Sequence, residues 1–176
     1  MVNDMTKQKQ FVEMAHKEVE NHSCYLWGGQ GESVLKTLPE TIVKKETSQE
    51  NAGRVLALVS KLVRVFDMGK AKYFDCSGLV TWCLQQMGLI KDDYTANKIY
   101  NELCYAIQKE DLKGGDLCFK SDNGKMVHVG IYSKKHGVIE AAGRDLGVVE
   151  RPIDANKWTS YGRLRCLKLV NQQRGD

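Results

Sequence analysis

The chain of 176 residues has no apolar run long enough to cross a membrane. Its opening stretch, Met1 to Gln10, is polar and carries no hydrophobic signal core. No Cys-x-x-Cys pair occurs among the six cysteines, so the common structural zinc pattern is missing and no metal or cofactor is expected. The cysteines show no paired spacing, and without a signal segment reduced thiols are the expected state. No basic run with interleaved aromatics argues for nucleic acid. The glycine-rich run Tyr25-Leu26-Trp27-Gly28-Gly29-Gln30-Gly31 lacks the Lys-Ser/Thr that a phosphate-cradling loop requires, so it reads as a tight turn or a close backbone approach.

What is present is ordinary in bulk. An apolar share of 42% and a charged share of 27% fit a globular chain, and the length suits one domain over 1–176. The net charge of +4 is mild; it would suit an acidic polymer and many soluble proteins alike.

The sequence is organised around Tyr73-Phe74-Asp75-Cys76-Ser77-Gly78-Leu79-Val80. Leu79, Val80, Trp82, Cys83, Leu84 and Met87 follow at helical spacing, with Asp75 as an N-cap and Gly88 as a stop. Cys76 then falls in the first turn, where outward N–H groups and the helix dipole favour a thiolate, the nucleophilic form. Taken alone, Cys76 reads equally well as a core thiol.

The second half of the chain shifts that balance. Residues 112–119 read as a turn entering a strand, 126–132 as a second strand, and 137–142 as a third. His128 and Glu140 lie on consecutive strands of a hairpin, which can set two side chains opposite each other on one face. A helix-start cysteine, a strand histidine and a carboxylate make a nucleophile, a base and an orienting group. His136 is a rival base, but Lys134-Lys135-His136-Gly137 has turn composition and would leave it exposed. Glu140 also reads as a surface carboxylate or an ion-pair partner; its apolar flanks favour the orienting role.

At these residues the chain resembles the NlpC/P60 cysteine peptidases, which have a papain-like fold. The matching segments are Tyr25-Leu26-Trp27-Gly28-Gly29, Phe74-Asp75-Cys76-Ser77-Gly78-Leu79-Val80, residues 112–119, His128-Val129-Gly130-Ile131-Tyr132, Ile139-Glu140-Ala141, and Trp158 with Tyr161-Gly162-Arg163. They occur in the family's order. Two departures stand out: Glu140 replaces the histidine, asparagine or glutamine usual in the third position, and a long insert, about 32–72, separates the Tyr25 segment from Cys76.

The resemblance implies an α+β domain, with N-terminal helices and the nucleophile helix packed on a central antiparallel sheet of about five or six strands, plus the helical insert. It implies a cell-wall endopeptidase that cuts the amide between D-glutamate, on its gamma-carboxyl side, and the diamino acid of a peptidoglycan stem peptide. Cys76, His128 and Glu140 would be catalytic, with Tyr25 donating a hydrogen bond at the site; the plainer reading of Tyr25 is a core aromatic. Trp27, Asp75 and Ser77 would contact substrate, and Asp75 is also a helix cap. No wall-binding repeat is recognisable, so phage-type release or virion carriage, cytoplasmic wall recycling, and a module of a longer protein are all open settings. The rival functions are a papain-like acyltransferase or amidase on another amide, and a non-catalytic wall-binding module.

The remaining segments carry structural expectations. A first helix spans 5–21, with Phe11, Met14, Ala15 and Val19 on one face; His16 and His22 read as surface residues. In the insert, Val34, Leu35 and Leu38 suggest a short helix ending near Pro39, then a polar connector over 41–45. A longer helix follows over 48–68, capped by Ser48 and stopped at Gly69, packing on the domain, walling the groove or forming a partner surface. Residues 92–108 read as a helix capped by Thr95. Cys83, Cys104, Cys118 and Cys166 read as core thiols. Residues 148–152 and 162–170 should complete the sheet, and the polar tail 171–176 should fray.

Overall fold

The computed structural model describes residues 6–134 and 137–168. Met5, His136 and the chain from Leu169 to the polar tail lie outside the described residues, and the readings placed on them go with them.

Helix α1 (Lys7–Glu20) is capped by Thr6, whose hydroxyl accepts from the Lys9 amide at 3.3 Å. It buries Phe11, Ala15 and Glu18. Glu18 accepts from Ser23 at 2.6 Å and from Lys72 at 3.1 Å, so its buried charge is paired. Strand β1 (Cys24–Tyr25) follows, then β2 (Gln30–Ser33), α2 (Pro39–Lys45), α3 (Gln49–Leu62) and β3 (Lys72–Phe74). These three strands form a small sheet in the order β1-β3-β2 that the sequence reading lacks. In it β1 runs parallel to β3, pairing Cys24 with Tyr73 and Tyr25 with Phe74. This pairing brings Tyr25 back to the cysteine segment across the insert.

The insert differs from expectation in two places. Pro39 opens α2 as its first residue instead of ending a helix, because its fixed φ and missing N–H suit a first turn. Residues 41–45, expected as a connector, lie within α2. Helix α3 starts as expected, with the Ser48 hydroxyl accepting from the Asn51 amide at 3.0 Å, but it ends at Leu62 rather than running to 68. Val63, Val65 and Phe66 lie past its end and are exposed.

Helix α4 (Cys76–Gln86) carries the nucleophile candidate and stops at Gly88, which adopts φ +69°. The helix expected over 92–108 is mostly another structure. Thr95 caps a single turn, α5 (Ala96–Lys98), which continues into a π-helical turn, Ile99–Leu103. The chain then becomes strand β4 (Cys104–Ile107), because pairing with the strand Ser160–Leu164 overrides helical spacing. Strands β5 (Leu117–Asp122), β6 (Lys125–Tyr132), β7 (Gly137–Ala141), β8 (Val148–Pro152) and β9 (Ser160–Leu164) complete a six-stranded antiparallel sheet. Its order is β4-β9-β5-β6-β7-β8. After β9 the chain turns into a short 3-10 helix, Arg165–Leu167, instead of extending as a strand.

Two cores lie on opposite faces of the small sheet. Tyr25 and Phe74 join the main core with Phe11, Leu79, Leu84, Phe119, Ile131 and Ile139. Their neighbours Cys24, Leu26 and Tyr73 face the insert with Val34, Ile42, Ala52 and Val55. Period-two alternation along β1 and β3 is enough to divide them. All six cysteines are free; Cys166, expected in the core, is only half-buried.

Candidate active site

The cysteine end is built on backbone contacts. Cys76 is the first residue of α4, and the Asp75 carboxylate caps the helix by accepting from the Gly78 amide at 2.6 Å. The other Asp75 oxygen accepts from the Gly28 amide at 3.0 Å, and Ser77 donates to the first at 3.3 Å. Burial raises the Asp75 pKa, and these hydrogen bonds offset part of that rise. The Asp75 amide donates to the Gly29 carbonyl at 3.0 Å. That contact needs glycine at 78, since a Cβ there would sit 2.1 Å from the Gly29 oxygen.

The base end comes from the sheet. Nε2 of His128 on β6 lies 2.6 Å from Oε2 of Glu140 on β7. The two residues are not directly opposite, as a simple hairpin would set them. Ile131 pairs with Ile139, so Glu140 lies across from Gly130 and reaches His128 on the diagonal. A Cβ on Gly130 would lie 2.5 Å from Val138, 3.0 Å from Trp158 and 3.3 Å from Glu140. The glycine of His128-Val129-Gly130 therefore keeps the floor of the site clear.

Burial disfavours a charged His128, but interactions with Cys76 and Glu140 outweigh it and raise the imidazole pKa from 6.5 to about 9. Burial pushes the Glu140 carboxyl up, but bonds from His128 and Arg151 prevail and hold its pKa below 4.5. Glu140 is 1% exposed and His128 is half-buried.

The sequence reading missed the partners of Glu140. Arg151 on β8 donates from Nε at 3.2 Å and from Nη2 at 2.7 Å to Oε1, and Asn156 donates to Oε2 at 3.2 Å. Glu140 pairs with Val149, so Arg151, two residues on, shares its face. A strand at 148–152 was legible; its register against β7 was not. Trp158, noted only as part of a closing segment, stacks on the imidazole with centroids 5.5 Å apart.

Tyr25 lies beside this group. Burial raises its phenol pKa, and the Cys76 and Asp75 charges raise it further. Trp27 is 52% exposed, placed on the surface by the turn that Gly28 and Gly29 make. Its amide donates to Oε1 of Glu46, just past α2, at 3.0 Å. Among the described residues, no group of three or more His, Cys, Asp or Glu could hold a metal ion. No helix among them is long and apolar enough to cross a membrane. A separate cavity of about 690 Å³ between α1 and the ends of β5 and β9 contains none of these residues.

Thiol, imidazole and carboxylate thus converge at a helix N-terminus, an arrangement capable of acyl transfer through a thioester. The model of the NlpC/P60 family matches residues 63–164, more than half of the chain. The chain is 30% identical over 129 residues to "Probable endopeptidase p60" of Listeria grayi, covering 70% of this chain and 24% of the relative. It is 40% identical over 62 residues to murein DD-endopeptidase MepH of Escherichia coli, covering 34% of this chain and 23% of the relative. The chain therefore spans about a quarter of the length of the curated relatives it matches. Among solved structures, it superposes on the NlpC/p60 domain of the peptidoglycan hydrolase SagA with a TM-score of 0.56 at 18% identity, covering 90% of this chain and all of that one. A similar fold is found in RipD of Mycobacterium tuberculosis, described as a non-catalytic NlpC/p60 domain protein, with a TM-score of 0.53 at 17% identity over 88% of this chain and 96% of that one. The α+β architecture with its antiparallel sheet is the fold of those domains, and the chain belongs to the NlpC/P60 family.

Proposed function

We propose that the chain is a cysteine endopeptidase of peptidoglycan stem peptides, cutting the amide between the D-glutamate gamma-carboxyl and the diamino acid. The observation that carries this reading is the His128 imidazole, bonded to buried Glu140 at 2.6 Å and interacting with Cys76, with a pKa raised to about 9. An imidazole protonated at neutral pH is the acid a departing amine needs.

In this mechanism the Cys76 thiolate attacks the amide carbon. The Cys76 backbone N–H and the Tyr25 hydroxyl stabilise the oxyanion. His128 protonates the leaving amine as the C–N bond breaks, giving a thioester. Water, deprotonated by His128, then releases the acid and restores the thiol. Glu140 holds the imidazole and supports its charge. Asp75 and Ser77, with Trp27 on the surface, line the approach for the peptide.

Mass spectrometry of defined muropeptides and free stem peptides, with a Cys76→Ala sample beside them, tests the reading. A MepH relative is named a DD-endopeptidase, so cross-linked dimers belong in the panel. Cleavage between D-glutamate and the diamino acid, lost in the variant, is the expected outcome. Every peptide left intact by folded, reduced protein would overturn it.

A further inference from the structure

We infer that Arg144 is a specificity-determining residue for a substrate carboxylate, held in place by Glu46 from the insert. This rests on the peptidase reading above and adds a residue to it.

Arg144 follows β7 in the turn after Glu140-Ala141-Ala142-Gly143. Its guanidinium carbon lies 5.1 Å from the centre of the Tyr25 ring. The same phenol feels Cys76 and Arg144 together, the first raising and the second lowering its pKa. Arg144 thus rests on the Tyr25 ring, and Tyr25 belongs to the same core against which Cys76 packs.

Its hold on the fold uses only part of its hydrogen-bonding capacity. Nε donates to Oε2 of Glu46 at 2.8 Å, and Nη2 lies 2.7 Å from the same oxygen. Glu46 is fully buried at its side chain and also accepts from the Trp27 amide, so it is fixed from two directions. A guanidinium carries five N–H donors. Among the described residues, the remaining ones on Arg144 have no hydrogen-bond partner, and its side chain is 16% exposed. Other nearby cations are committed: Arg151 is bound to Glu140, and Lys45 to Glu32 and the Gly28 carbonyl.

The substrate supplies the matching anion. In a γ-linked D-glutamyl residue the free α-carboxylate lies four C–C bonds from the scissile carbonyl carbon, about 5 Å when extended. A planar fork with unused donors recognises a carboxylate strongly and a carboxamide poorly. The insert's place in the site follows: Glu46 keeps the fork aimed while the Trp27 turn stays shut behind it.

The test uses two stem peptides identical except that one carries the D-glutamate α-carboxylate and the other its carboxamide. Wild type should cleave the acid with kcat/KM higher by about tenfold or more, and Arg144→Gln should bring the acid-to-amide ratio to about one. Arg144→Lys should restore part of the preference. A wild type indifferent to the two peptides, or a variant that slows both equally and keeps the ratio, would overturn the inference. Calorimetric binding to Cys76→Ala separates it from the peptidase reading. If wild type cuts neither peptide but the alanine protein binds the acid selectively, and Arg144→Gln abolishes that selectivity, the carboxylate subsite stands without the peptidase. If neither peptide is cut and neither is bound selectively, both readings fall.

Discussion

At the scale of single residues, the His128–Glu140 pair sets two pH limits. The His128 pKa is raised from 6.5 to about 9, so its interactions stabilise the fold fully below 6.5 and are lost as pH rises through about 9. The Glu140 pKa is lowered from 4.5, so its contribution is present above 4.5 and is lost as pH falls through the lower folded value. Urea denaturation of wild type and His128→Gln across pH should therefore show the largest gap between 4.5 and 6.5, closing on both sides. A gap constant with pH would mean that the pair contributes no charge linkage. Glu140→Gln removes the carboxylate that supports the imidazolium, so kcat/KM should fall by about 10²- to 10⁴-fold. Its pH profile should lose activity on the basic side at a lower pH than wild type. An unchanged basic limb would argue that Cys76 alone holds the His128 proton. The sequence carried Cys76, His128 and Glu140 because each sits in a recognisable local pattern. Arg151, Asn156 and Arg144 were not legible, because their roles come from register and from a turn beside the insert rather than from any motif of their own.

At the scale of elements, two glycines make opposite predictions. Gly78 lies where helix α4 meets the Gly29 carbonyl, and a Cβ there would be 2.1 Å from that oxygen. Gly78→Ala should cost about 1–3 kcal/mol of stability and displace Cys76 from His128. Gly53 lies within α3 with nothing within 4 Å of an added Cβ. Gly53→Ala should instead add about 0.5–1 kcal/mol, since alanine loses less backbone freedom on helix formation. Denaturant midpoints of both variants check the pair, and a Gly78→Ala protein as stable as wild type would show that the approach of helix and turn is slack. The same contrast explains which elements could be read in advance. Helix α4 has agreeing signals, with Asp75 as cap, apolar spacing behind it and Gly88 as stop. The segment 92–108 also offered a cap in Thr95 and helical spacing through Ile99, Leu103 and Ile107. There the local pattern lost to pairing between β4 and β9 (Cys104 with Leu164), which spacing along one segment cannot reveal.

At the scale of the whole molecule, the small sheet couples the insert to the catalytic candidates. Strand β3 sends Tyr73 into the insert core and Phe74 into the main core, and Cys76 follows two residues later. Strand β1 does the same with Cys24 and Tyr25. Neither core can open without freeing a strand that the other also needs, so the two should unfold as one cooperative unit. Val55, fully buried in the insert core, offers the test because it belongs to neither the catalytic group nor the main core. Val55→Ala should cost about 2 kcal/mol through the cavity it leaves. The tryptophan fluorescence and far-ultraviolet circular dichroism transitions should shift together and remain coincident. Separate transitions would mean that the insert melts as its own unit. The Glu46 hold on Arg144 and on the Trp27 turn would then be intermittent, and the acid-to-amide preference would fall in Val55→Ala without any change at Arg144 itself. Coincident transitions with an unchanged preference would instead make the insert a rigid wall of the groove, built by packing alone.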